Sequence, residues 1–289
     1  MTEATRPDAA TSEPPAAPAV SIGMPVYNGG PHLEQALRSI LAQDFPDFEL
    51  IVSDNASTDG TEALCRAFAA ADPRIRYFRQ DANIGALPNF LFVWEKARAP
   101  LFRWAAHDDW LDADWLGTMV RHVRRTGAIA FGHLQMVTWD GAPMKHHANG
   151  HPIRFTGPVW WRRFVYATEP GYLGKANPIY GLFPREALRA EALHAFMTFG
   201  APGDVMMLHE CLATRAIDCA GPSRLYKRDR PPVPRSATPP VRTTLAEATM
   251  YEQFAGAGSR LERLAFRLAW PITALRFAWT RRLKRRRRT

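Results

Sequence analysis

Cysteine is scarce: Cys65, Cys211 and Cys219 are the three in 289 residues, and no two form a Cys-x-x-Cys pair. That excludes a disulfide framework and a cysteine-rich zinc site, and it fits a reducing compartment. No run of about 18 uncharged apolar residues occurs, so no clear transmembrane helix is expected. Residues 1–18 are rich in Ala, Pro, Thr and Glu without an apolar run, which predicts a disordered leader and not a signal peptide. Internal repeats are absent. Gly29-Gly30 is followed by Pro31-His32, a poor match to the glycine-rich, basic phosphate loop of a nucleotidyltransferase.

What is present describes a globular chain. Apolar residues make up 46% and charged residues 22%, which excludes a wholly disordered, collagen-like or coiled-coil protein. The length is enough for one large domain or two small ones with an ample core.

The net charge of +9 is unevenly placed. Ser259 to Thr289 carries ten Arg and one Lys against one Glu, +10, which leaves −1 for the other 258 residues. The body is therefore near neutral, and a basic tail carries the excess. That tail mixes Leu261, Leu264, Leu268, Ile272, Trp270, Phe277 and Trp279 with its arginines and is broken at Pro271. A basic, aromatic, amphipathic segment suits an anionic membrane surface. Nucleic acid is the less favoured partner, because aliphatic and aromatic residues share the segment.

Strand and helix patterns alternate four times in about the first 125 residues. Val20–Pro25, Phe48–Ser53, Arg74–Arg79 and Pro100–Ala106 read as strands. Leu33, Ala36, Leu37, Ile40 and Leu41 share a helical face; Asp59 suits an N-cap for a helix through Ala70; Pro88 suits the first turn of another. A further helix is expected over Asp112–Arg124. The alternation predicts an α/β fold with a parallel sheet covered by helices on both faces. Ligands of such sheets bind beyond the carboxyl ends of the strands, and the polar segments Tyr27-Asn28, Asp54-Asn55 and Asp108-Asp109 all fall there. Beyond this half, Ala128–Trp139 and Pro178–Phe183 read as strands, and Trp160–Ala167, Pro184–Leu193 and Asp204–Arg215 as helices. Arg230–Pro240, with five prolines, reads as an extended loop.

The residues leave alternatives open. Asp108 and Asp109 either cap the next helix or hold a divalent cation bridging to phosphates. Asp54 either accepts hydrogen bonds from a nucleotide or closes an Asx-turn. Tyr27 either stacks on a base or packs. Asp204 either caps a helix or acts as general base, with Glu210 the nearby rival.

Four pieces in order carry a family resemblance: Ser21-Ile22-Gly23-Met24-Pro25-Val26-Tyr27-Asn28, Ser53-Asp54-Asn55-Ala56-Ser57-Thr58-Asp59-Gly60-Thr61, Asn83-Ile84-Gly85 and Ala105-Ala106-His107-Asp108-Asp109. Val20 to about Val120 resembles family-two glycosyltransferases of the GT-A fold. The likeness thins over the next 110 residues, where Asn177–Phe183 and the Asp204 helix are similar to the acceptor half. The resemblance implies a mixed, mostly parallel sheet flanked by helices and an inverting transfer of sugar from a nucleotide donor, UDP-sugar being expected. It implies a donor pocket of Pro25, Tyr27, Asp54, Asn83 and Asp108, a Mg2+ or Mn2+ ion at Asp108 and Asp109, and Asp204 as catalytic base. Two departures stand out. The first carboxylate of the usual Asp-x-Asp falls on Ala106, and the usual Glu-Asp at the base is Gly203-Asp204. Ala106 keeps a non-catalytic nucleotide-sugar adaptor as the alternative. Arg228, Arg230 and Arg235 are candidates for the diphosphate.

The expected layout is a leader at 1–18, a catalytic domain at 19–225, a proline-rich loop at 226–240 and a basic helical extension at 241–289. The acceptor is expected to be a glycan or a lipid-linked sugar. The expected location is cytoplasmic, at the membrane's cytoplasmic face.

Overall fold

The computed structural model describes residues 17–198 and 203–230, together with Leu264 and Leu268. Strand and helix alternate as expected: β1 (Val20–Val26), α1 (Leu33–Leu41), β2 (Phe48–Asp54), α2 (Thr61–Ala71), β3 (Ile75–Arg79), α3 (Ala86–Glu95) and β4 (Leu101–Trp104). The four strands are parallel in the order β3-β2-β1-β4. β1 and β2 are buried along their whole length, as strands covered on both faces must be. α1 turns Leu33, Ala36, Leu37 and Ile40 to the core, the i, i+3, i+4, i+7 stripe of an amphipathic helix. Asp59 was expected to cap α2, but the N-cap is Gly60; Asp59 stands one residue earlier, its Oδ1 accepting the Thr61 N–H at 3.0 Å.

The following elements are β5 (Trp110–Leu111), α4 (Trp115–Thr126), β6 (Ile129–Val137), α5 (Val159–Thr168), β7 (Phe183–Pro184), α6 (Ala190–Thr198), α7 (Gly203–Cys211) and β8 (Ile217–Arg228). β7 joins the first sheet antiparallel to β4. β5, β8 and β6 form a second sheet, in which β6 and β8 run parallel and β5 runs antiparallel to β8. The N-terminus of α4 is closed from afar. Gln43 Oε1 accepts the Leu116 N–H at 2.7 Å and Asp44 Oδ1 the Gly117 N–H at 3.1 Å, which satisfies donors the helix itself leaves orphaned.

The second half departs from expectation in three places. Asn177–Tyr180 is a short 3-10 turn where a strand was expected; the Gly181 N–H bonds back to Pro178 O at 2.9 Å and closes it locally. The helix expected from Pro184 starts at Ala190, after another 3-10 turn at Arg185–Ala187. β8 was not anticipated at all. It continues past Leu225 through Lys227 and Arg228, so the second sheet extends into the segment expected to be a proline-rich loop. Residues 231–240 of that loop, the leader up to residue 16 and the C-terminal extension lie outside the described residues. The exceptions are Leu264 and Leu268, both helical and exposed. Among the described residues no helix is long and apolar enough to cross a membrane.

Candidate active site

The carboxyl ends of β1, β2 and β4 open onto one rim. Two non-glycine residues there take left-handed backbone, Asn28 at φ 48° and Ala56 at φ 58°, each at a cost of about 1–2 kcal/mol. The strain is held by a clasp between the two loops. The Asn28 N–H donates to Ser57 Oγ at 2.9 Å, Asn28 Oδ1 accepts the Thr58 N–H at 2.9 Å, and the Gly29 N–H donates to Thr61 Oγ1 at 2.8 Å. Beyond the clasp lies a cleft of about 680 Å3. Pro25, Tyr27 and Asn55 line one side, Asp108 and Asp109 the floor, and Lys227 and Arg230 the far wall. A second cleft of about 200 Å3 contains Asp204 and shares Ala86, Phe90, Tyr180 and Lys227 with the first.

β8 places the basic residues. Trp110 and Tyr226 pair across β5 and β8 and stack with ring centroids 5.0 Å apart. Just beyond, the Arg228 N–H donates to Asp109 Oδ1 at 3.0 Å. The Arg228 side chain is a strut. It reaches Asp108 O, Trp139 O and Gln35 Oε1, with its guanidinium over the Trp110 ring. It therefore braces the floor of the cleft while still lining it. Arg230 donates through Nε to Asp108 Oδ2 at 2.6 Å and keeps half of its side chain exposed. Lys227 donates to Asn177 Oδ1 at 3.0 Å and lies over the Tyr180 ring, between the two clefts. Arg235 lies outside the described residues.

The two floor carboxylates differ. Burial works to raise the Asp108 carboxyl, but the Arg230 hydrogen bond and the charges of His107 and Arg230 hold it below its ordinary value. Burial pushes Asp109 up to about 6, helped by the Asp108 charge and opposed by Lys227 and the Arg228 N–H. One oxygen of each carboxylate makes these contacts. The others are hard donors of the kind that Mg2+ and Mn2+ accept. Among the described residues no three His, Cys, Asp or Glu side chains cluster to hold a metal, so an ion at this pair would need substrate and solvent oxygens as well. The pair fits a divalent cation on those terms.

Pro25, Tyr27, Asp108 and Asp109 are thus brought together, whereas Asp54 and Asn83 are not. The register of β2 and β3 sets Arg79 opposite Asp54. The buried Asp54 carboxylate accepts from Arg79 Nη1 at 2.7 Å, Tyr77 Oη at 2.8 Å and the Ser57 N–H at 2.9 Å. It organises the rim from below and does not line the cleft. Asn83 is exposed and supports the next loop, its Oδ1 accepting from Asn55 Nδ2 and the Gly85 N–H at 2.9 Å each. Asn55 takes its place at the cleft wall.

The Asp54 network makes an acid-stability prediction. Burial opposes ionisation of Asp54, but hydrogen bonds from Ser57, Tyr77 and Arg79 hold its pKa below the ordinary value. A lowered folded-state pKa gives stability that is complete above the unfolded value of about 4 and is lost as pH falls through the folded one. Glu49, Asp59 and Asp72 are lowered too. Asp54→Asn is expected to flatten part of the fall in thermal midpoint below about pH 4. An acid limb identical to that of the native chain would refute it.

Asp204 stands in the first turn of α7, its Oδ1 accepting the Val205 N–H at 2.7 Å. Burial raises its pKa above the ordinary value, against the pull of Val205 and the Lys227 charge. Glu210 lines neither cleft. The His209 hydrogen bond and the Arg163 charge hold it low, against burial, with Arg163 Nη2 3.4 Å away.

This geometry, a cleft at the strand ends with a carboxylate pair beneath it, goes with a family match. Residues 21–189 fit the model of glycosyl transferase family 2. The chain belongs to that family. A putative teichuronic acid biosynthesis glycosyltransferase of Bacillus subtilis is 29% identical over 128 residues, 44% of this chain and 51% of that protein. The GalNAc(5)-diNAcBac-PP-undecaprenol beta-1,3-glucosyltransferase of Campylobacter jejuni is 32% identical over 117 residues, 40% of this chain and 38% of that one. The chain thus spans about half or less of the length of these relatives. The S. aureus TarS 1–349 structure in complex with UDP-GlcNAc superposes with a TM-score of 0.62 at 15% identity, over 85% of this chain and 69% of that one. That likeness shows the GT-A fold expected from the sequence motifs. The family-two match ends before Asp204 and β8, so Asp204, Lys227 and Arg230 are placed by geometry. Lys227 was missed because its strand was missed.

Proposed function

We propose that the chain transfers a glycosyl group from a nucleoside-diphosphate sugar, a UDP-sugar, to a hydroxyl of a glycan or lipid-linked acceptor with inversion. The observation that carries this is the junction of the two clefts. They share the wall from Ala86 to Lys227, so one bound molecule reaching from the Asp108-Asp109 floor brings its far end towards Asp204. The TarS structure with UDP-GlcNAc and the undecaprenol-linked acceptor named for the Campylobacter relative support the choice of donor and acceptor class.

In this scheme Tyr27 and Pro25 face the nucleoside and Asp108 its ribose and diphosphate. Asp108 and Asp109 would hold a divalent ion, which when bound would supply positive charge beside the diphosphate. Lys227 and Arg230 add fixed cations on the same side. Asp204 takes the proton of the acceptor hydroxyl. The freed oxygen bonds to the anomeric carbon as the bond from that carbon to the diphosphate oxygen breaks. The nucleoside diphosphate leaves with that electron pair. Burial of Asp204, which raises its proton affinity, suits a base.

The test is calorimetric titration of UDP with and without Mn2+. The full chain is expected to bind UDP more tightly with Mn2+, and Asp108→Ala to lose that dependence. A chain that binds no nucleotide refutes the donor site. A chain that binds UDP but turns over no sugar nucleotide is the adaptor anticipated from Ala106.

The basic C-terminal segment completes the proposal: it holds the enzyme at the cytoplasmic face of an anionic membrane, where lipid-linked acceptors are presented. Removing residues 281–289 is expected to lower sedimentation with anionic liposomes and to leave donor hydrolysis intact. Unchanged sedimentation would sink the membrane role.

A further inference from the structure

Arg103 interrupts an apolar strand, Leu101-Phe102-Arg103-Trp104. Phe102 and Trp104 turn towards α3; the Trp104 indole N–H donates to Phe90 O at 2.9 Å. Strand alternation sends Arg103 to the opposite face, where its guanidinium lies 4.3 Å from the centre of the Trp115 ring. The residue is 1% exposed. Among the described residues its Nε and Nη1 have no hydrogen-bond partner. An unpaired buried cation is costly, and an apolar side chain of that size would fill the same space without the cost. The fold alone does not account for an arginine here.

Behind the floor of the donor cleft lies a small cavity of about 10 Å3, lined by Arg103 and Asp109 with Ser39, Ala105 and Leu225 among its walls. That is about the space of one water molecule. Asp109 is therefore reached from two sides, by the donor cleft and by this cavity. Burial pulls the Arg103 pKa down to about 9, and the negative charge of Asp109 opposes that fall.

We propose that Arg103 is a positioning residue for Asp109: from behind the sheet it balances and fixes the carboxylate that faces the donor diphosphate. The pairing stands on the buried geometry alone; its consequence for donor binding rests on the donor-site proposal above. The effect would pass through the orientation of Asp109, in the way partners behind a metal-binding carboxylate set its affinity.

Two measurements test it on the full chain. Urea unfolding of the native chain, Arg103→Met, Asp109→Asn and the double variant forms a cycle that needs no nucleotide. The second substitution is expected to cost less in the double variant than alone. Strictly additive midpoints overturn the pairing. Titration of UDP with Mn2+ is expected to weaken about tenfold in Arg103→Met, with Arg103→Lys, which keeps the charge and guards against a misfolded Met variant, falling between the two. Native affinity in Arg103→Met overturns the positioning role. A native chain that binds no UDP instead overturns the donor site, and the cycle still decides the pairing.

Discussion

Asp204→Asn is expected to slow sugar transfer by about 10²- to 10⁴-fold, the range that a positioned acid or base contributes, with UDP affinity unchanged. Asparagine is the right substitution because its side-chain oxygen still accepts the Val205 N–H at the start of α7, so the helix end keeps its partner and only proton-accepting power is lost. The two effects separate because Asp204 lies in the smaller cleft while the donor floor is Asp108 and Asp109 in the larger one. Loss confined to kcat marks an interaction made in the transition state. Asp108→Ala should do the reverse and act first on binding. Glu210→Gln supplies the control, since Glu210 is held by His209 and Arg163 and lines neither cleft. The assay is turnover of the donor that the native chain uses, in parallel with UDP calorimetry. A variant that turns over at the native rate would remove Asp204 from the chemistry and send the search for a base back to the cleft walls, where His107 and Asp229 also stand.

The part of the site legible in the sequence is the part built from contiguous residues. β1 and β2 are unbroken apolar runs that end in polar turns, and strand ends are where such sheets bind ligands. Tyr27, Asp108 and Asp109 were found that way. What the sequence concealed depends on register between distant segments. Asp54 sits at a strand end like the others, but only the pairing of β2 with β3 brings Arg79 against it and turns it inward. β8 escaped notice because Gly221-Pro222 and the charged pair Lys227-Arg228 obscure its alternation; proline argues against a strand interior and glycine weakens one. With β8 went Lys227, and with it the wall that joins the two clefts. Arg103 was not singled out within the strand read at Pro100–Ala106, because its neighbour Asp109 across a small cavity comes only with the fold.

The same hidden strand supplies the largest expected stability effect. β6 carries an irregularity between Phe131 and His133 where it pairs with β8, and Gly132 sits in it. A methyl group there would lie 2.2 Å from the Ser223 carbonyl oxygen and 3.1 Å from the Trp115 indole nitrogen. Ser223 has no room to retreat. Its hydroxyl is bonded to Asp114 Oδ1 at 2.9 Å, and next to it the Arg224 N–H donates to Asp112 Oδ2 at 2.9 Å while Arg224 O accepts the Asp112 N–H at 3.0 Å. Gly132→Ala must therefore part β6 from β8, at a cost of about 3 kcal/mol from overpacking and lost ladder bonds together. Gly60→Ala is the matched control: at φ −71° it has no atom within 4 Å of the added carbon and should be close to neutral. The damage should reach the site as well, because β6 holds Lys227 and Arg228 in register through Met136 and Val137 and the Arg228 N–H holds Asp109. Urea unfolding is expected to show a clearly lower midpoint, and Mn2+-dependent UDP binding is expected to weaken in the fraction that remains folded. Native stability in Gly132→Ala would mean that β6 and β8 do not approach this closely, and that the wall carrying Lys227 is held by some other contact.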